Sequence, residues 1–137
     1  MNVQAVRSRH AMLGLRLVIA GLLAAHGWAR LIEGGVAPFG AWLDSLGFPG
    51  GFYIAAAITG YEIVGTILLA LGLWVTWLCL VSCGIYTMGI VLVHWPEGWF
   101  VVGLGRNGME YSVLLIACLA LLAFVHAPAR MAKYRAG

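Results

Sequence analysis

The sequence is short of charge. Only 9% of its 137 residues are Asp, Glu, Lys or Arg, with five acidic residues in all. A soluble domain carries about 25% charged residues, so this chain has too few to cover a water-facing surface. Proline is also scarce, at four residues, and cysteine scarcer, at three. Cys79, Cys83 and Cys118 form no C-x-x-C redox motif and no zinc pattern. No His-Glu-x-x-His, Gly-x-Ser-x-Gly or P-loop run is present, so the familiar metalloprotease, hydrolase and nucleotide signatures are missing, and no metal site is expected. No low-complexity segment, solenoid-length repeat or second domain is visible; the whole of 1–137 reads as one domain. The net charge of +3 gives no reason to expect a nucleic-acid partner.

What is abundant is apolar. Hydrophobic residues make up 63% of the chain, and the mean hydropathy is +0.96. The apolar residues fall in four stretches, about Leu13–Ile32, Phe52–Leu73, Val75–Val93 and Met109–Val125. Each approaches the ~17–25 residues a helix needs to cross about 30 Å of hydrocarbon. Backbone groups in lipid must bond within their own segment, so helices are the expected form. The fold class predicted is therefore all-α: an integral membrane four-helix bundle embedded in the lipid bilayer. The first stretch is not read as a cleaved signal peptide, because Trp28 and Arg30 occupy the region where a cleavage site would follow it.

The connections are legible too. The longest, Gly34–Gly51, contains a Phe39–Asp44 segment that reads as a short interfacial helix. Trp74 and Thr76 sit in a tight second-to-third hairpin, and Pro96 breaks the third helix. Arg7, Arg9, Arg16, Arg130, Lys133 and Arg135 mark one side, against Arg30 and Arg106 on the other. That distribution places both termini in the cytoplasm. Trp42, Tyr53, Trp95 and Trp99 are expected at the outer interface and Trp74, Trp77 and Tyr134 at the inner one. Among the 19 glycines, Gly14, Gly21, Gly60, Gly65, Gly84 and Gly89 lie inside the spans and suggest close helix packing.

The informative residues are polar ones inside the membrane. Glu62 lies near the middle of the second span, where a carboxylate is costly unless neutralised or paired. His26 and Arg30 share a face of the first helix by i,i+4 spacing. Glu110 opens the fourth helix beside Arg106 and Asn107, and His94 ends the third. With alternating helix directions these groups fall in the outer half, and a polar pocket of His26, Arg30 and Glu62 with Glu110 at its rim is expected. Each has a plainer reading. Glu110 can serve only the helix dipole, with Asn107 as cap. Arg30 and Arg16 can snorkel to the interface. Glu62 can be a purely structural partner of His26 or Arg30.

Several runs resemble a known family. Leu15-Arg16-Leu17 followed by Ala25-His26-Gly27-Trp28-Ala29-Arg30-Leu31 resembles the first helix of DoxX-family membrane proteins. Gly60-Tyr61-Glu62-Ile63-Val64-Gly65, leading into Leu68-Leu69-Ala70-Leu71-Gly72-Leu73, is similar to the second, and Gly105-Arg106-Asn107-Gly108-Met109-Glu110-Tyr111 to the opening of the last. The resemblance runs from about Arg9 to Val125. Arg30 stands where the family often has Lys, and Thr76-Trp77 stands where it often has a basic residue. The resemblance implies a four-helix inner-membrane protein linked to redox processes, similar to the subunit of thiosulfate:quinone oxidoreductase. On it rests the expected function: a redox-associated accessory subunit binding a quinone-like or other small ligand. In that function His26 and Glu62 are the candidate catalytic residues, relaying protons or hydrogen-bonding a carbonyl. Arg30 supplies positive charge, Trp28 and Tyr61 suit an apolar ring, and Glu110 completes the ligand site. The alternative is a non-catalytic anchor or assembly subunit of a larger membrane complex. Both make other membrane proteins the expected partners.

Overall fold

The computed structural model describes residues 2–128; Arg130, Lys133, Tyr134 and Arg135, on which part of the topology and belt expectations rest, lie outside them. The described residues are helical, with no strand among them. They divide into two compact units at Leu73/Trp74.

The first unit holds α1 (Val3–Ile32), α2 (Val36–Ser45) and α3 (Gly51–Leu71). Helix α1 begins ten residues before the expected Leu13. Its added turns carry Arg7, Arg9 and His10, which a hydropathy reading leaves out but an Asn2 cap supports by accepting the Gln4 N–H at 3.1 Å. At 30 residues α1 is about 45 Å long, well beyond what the hydrocarbon requires. The expected interfacial segment is indeed a helix, α2, longer than expected by three residues before Phe39. It lies against α3. Among its buried and half-buried positions, Val36, Phe39, Gly40 and Leu43 follow the i,i+3,i+4,i+7 pattern of one face, and Trp42 flanks it. Gly40 permits the contact, since a Cβ there would stand 2.6 Å from Phe52 Cα. Asp44 then accepts the Gly51 N–H at 2.9 Å and closes the otherwise unpaired start of α3. Helix α3 ends at Gly72, whose φ of 80° suits glycine and stops the helix.

The buried positions of α1 are Ile19, Ala20, Leu23 and Gly27, and those of α3 include Ala55, Thr59, Glu62, Gly65, Thr66 and Leu69. The two helices run antiparallel, with Arg16 bonded to Ala70 O at 3.4 Å near one end and Arg30 to Thr59 at 3.1 Å near the other.

The second unit holds α4 (Val75–Gly89) and α5 (Glu110–Val125). Helix α4 ends in a wider π turn, Ile90–His94, and a 3-10 turn, Trp95–Glu97, containing Pro96. Its inner face is Val75, Cys79 and Ser82, and that of α5 is Ser112, Leu115, Leu119, Leu122 and Ala123. The three cysteines are free.

Three helical segments, Val3–Ile32, Gly51–Leu71 and Val75–Glu97, are long and apolar enough to cross a membrane, and α5 is a shorter apolar helix. Tyr53, Trp74, Trp77, Trp95 and Trp99 are exposed. Trp42 is half-buried, its ring stacked on Phe39 at 6.0 Å. The glycines also differ from expectation. A Cβ at Gly14, Gly21, Gly60, Gly84 or Gly89 would meet nothing within 4 Å. Gly65 is buried in α3, and close packing also uses Gly27, Gly40 and Gly51. Gly14 and Gly21 lie on the side of α1 turned away from the Leu23–Gly27 face that meets α3.

Candidate functional site

The site grows out of helix direction. In an α-helix the Cα–Cβ bond tilts toward the N-terminus. Arg30 is near the C-terminal end of α1, so its side chain leans back along the helix, away from the nearby end. Glu62 is midway along α3, which runs the other way, so its side chain leans toward Arg30. The two converge: Arg30 Nη1 donates to Glu62 Oε2 at 2.6 Å. The Glu62 side chain is 4% exposed and that of Arg30 21%. Arg30 thus turns inward rather than snorkelling outward.

Three further contacts hold the guanidinium. Nη1 also donates to Thr59 Oγ1 at 3.1 Å. Thr59 in turn donates to Ala55 O at 2.7 Å. The Phe39 ring lies 4.8 Å from Arg30 Cζ, a cation–π arrangement supplied by α2. Gly35 fits against the Arg30 stem, where a Cβ would stand 3.2 Å from Arg30 Cγ. Beneath the pair, Gly27 lets the helices close, since a Cβ there would be 2.8 Å from Glu62 Cβ.

The remaining sequence candidates are distributed as follows. His26 is exposed and stands one turn before Arg30 on a neighbouring face of α1. Tyr61, next to Glu62, is half-buried. Trp28 is 47% exposed, on the opposite side of α1 from the α3-facing residues. Glu110 belongs to the second unit, where its Oε1 accepts the Val101 N–H at 3.0 Å and ties down the loop before α5. The position before α5 is Met109, not Asn107. Asn107 has φ 58°, and its carbonyl takes the His94 Nδ1 contact at 2.7 Å. Arg16 sits at the end of α3, its Nη2 bonded to Ala70 O, a cation on the negative end of a helix dipole.

Two members of the site escaped the sequence reading. Thr59 had a usable signal, since it precedes Glu62 by three residues and so shares its face. Phe39 had none, because only the fold of the first connection brings it over Arg30.

The arrangement is a buried charge pair in apolar surroundings, open on the arginine side. An ion pair there gives little net stability over apolar residues of similar volume, and ionisable groups within membrane helices mark functional sites by default. Comparison with curated proteins and with solved structures returns no match. The DoxX family model matches residues 11–95, which takes in most of α1, all of α2 and α3, and α4. That match covers more than half of the chain and contains both partners of the ion pair; the protein belongs to the DoxX family of multi-pass membrane proteins.

Proposed function

We propose that the protein is a redox-associated subunit of the inner membrane that binds a quinone-like or other small ligand at the Arg30–Glu62 pair. The reading takes the chain as a four-helix bundle with both termini in the cytoplasm and this pair in the outer half. The observation that carries it is the 2.6 Å ion pair itself, sunk in a helix that has no other charge. Guanidinium has five N–H donors in a planar fork. Nη1 serves Glu62 and Thr59, which leaves the fork's open side to meet a ligand carbonyl oxygen. Phe39 and Tyr61 offer flat apolar surface for a ring. His26 and Glu62 are the groups that would exchange protons with the ligand, and no electron carrier of the chain's own is invoked.

The test is purification in native lipid followed by identification of co-purifying lipophilic molecules, with Glu62→Gln and the double variant Arg30→Met/Glu62→Leu beside the parent. A stoichiometric quinone in the parent, lost from both variants while they remain folded in the membrane, is the expected result. Retention of the same molecule by the double variant refutes the site.

A second reading, a non-catalytic anchor or assembly subunit, is favoured by a different observation. Gly14 and Gly21, with open space at their Cβ positions, present a smooth face of α1 to which another chain's helix can approach closely. Under that reading Gly14→Leu/Gly21→Leu disrupts a stoichiometric complex, and the Arg30–Glu62 variants leave it intact.

A further inference from the structure

The last connection joins α4 to α5, and the two helices give it a depth. Thr76 Oγ1 donates to Ala123 O at 3.3 Å. Seven residues further along α4, Cys83 Sγ lies 3.7 Å from Ile116 O, seven residues back along α5. The helices therefore keep one antiparallel register. Continued six residues more, it sets Gly89 opposite Glu110, where α5 begins. At the other end it sets Val75 level with Phe124, so the two helices finish together there. The whole difference in length falls at the end where α5 starts.

That difference matters in a bilayer. Val75 to His94 covers 20 residues, about 30 Å, and matches the hydrocarbon thickness. Exposed Trp74 and Trp95 flank it. Helix α5 has 16 residues, about 24 Å, and stops about 6 Å short. What lies beside Ile90–His94 is the connection itself, as the His94–Asn107 contact at 2.7 Å confirms.

Irregular backbone at that depth must be satisfied internally, and the neck of this connection is. Gly108 N–H donates to Phe100 O at 3.1 Å, Met109 N–H to Gly98 O at 3.0 Å and Glu110 N–H to Trp99 O at 3.0 Å. The Glu110 carboxylate accepts the Val101 N–H. Beyond the neck, the tip is apolar and outward. Val102 is 75% exposed and Leu104 87%, beside Trp99 and Phe100 at 49% and 41%. In water such a tip is a liability. At the boundary between headgroups and acyl chains its side chains gain an apolar environment while its backbone keeps polar partners.

We propose that the segment 98–109 is an interfacial anchor, its neck completing the short span of α5 and its Val102–Leu104 tip inserted into the lipid of the adjacent leaflet. The occupant of this surface is the host bilayer, because register and helix length set the loop at the depth of that boundary.

The test places an environment-sensitive fluorophore (NBD) at Leu104→Cys and, separately, at Val102→Cys. Both use the full chain with its three native cysteines replaced by alanine, in phosphatidylcholine–phosphatidylglycerol nanodiscs, where iodide reaches both faces of the bilayer. His10→Cys, on the exposed polar part of α1, is the water-facing reference. The expected result is blue-shifted emission at both tip sites, quenching by doxyl groups placed high on the acyl chain, and loss of the iodide quenching seen at His10→Cys. Iodide quenching equal to the reference overturns the proposal, since the tip then stands in water. Protection from both quenchers overturns it equally, since protein then covers the tip.

Discussion

The two units solve the same problem, holding helices together in lipid, with different chemistry. In the first, α1 and α3 meet around a charge pair and a glycine, Arg30, Glu62 and Gly27, with an arginine at the far end of α3. In the second, the buried residues of α4 and α5 are all neutral, among them Cys79, Ser82, Ser112 and leucines, and Thr76 bonds across to α5. Charges are costly in a bilayer, and a neutral interface shows that this chain can pack without them.

The sharpest way to break this contrast is Glu62→Leu. It leaves the half-buried Arg30 without its carboxylate and should destabilise by up to about 3–5 kcal/mol, whereas the double variant Arg30→Met/Glu62→Leu should be close to neutral or stabilising. Thermal unfolding of the purified protein in one detergent compares them. A single variant no less stable than the double would erase the distinction between the units.

Gly27→Ala comes next. Its Cβ would press on Glu62 Cβ and Ile63, and overpacking of this kind costs about 1–3 kcal/mol. Gly84→Ala in the second unit meets nothing within 4 Å and should gain up to about 0.5–1 kcal/mol from helix propensity alone. Opposite signs in the same unfolding assay sharpen the comparison.

Arg16→Gln should cost about 0.3–1 kcal/mol by removing the cation from the α3 terminus, seen as faster amide exchange at residues 69–72 with little change in α5. Thr76→Val comes last: it removes the Thr76 hydroxyl bond to Ala123 O across α4 and α5 and should cost about 0.6 kcal/mol, the usual worth of one polar contact between membrane helices. A cost for Thr76→Val equal to that of Glu62→Leu would mean that the neutral interface carries as much polar energy as the charged one.

Much of the first unit was legible in the sequence, and for a physical reason. A mid-span Glu62 requires a partner, and Arg30, on a helix of opposite direction, is the cation of the matching half. Spans were legible because lipid thickness sets their length. Where water takes over, that constraint ends: the early start of α1 at Val3 rests on an Asn2 cap and polar residues, which carry no hydropathy signal. The seating of Phe39 over Arg30 depends on Gly40 and Gly51 meeting across α2 and α3, a tertiary event with no local period. Glu110 had two readings as a helix opener, and the structure gives a third, a staple to Val101 fixed by a loop whose path no pattern announces.

The unbroken course of α1 has a practical consequence. From Val3 through Ile32 there is no kink-forming proline and no turn, so the membrane-embedded part and the polar arm are one rod. A larger helical protein grafted in phase ahead of Val3 would be held at a fixed angle to the spans. Such a graft would supply the rigid mass that single-particle electron microscopy needs to align images of a small membrane-embedded chain.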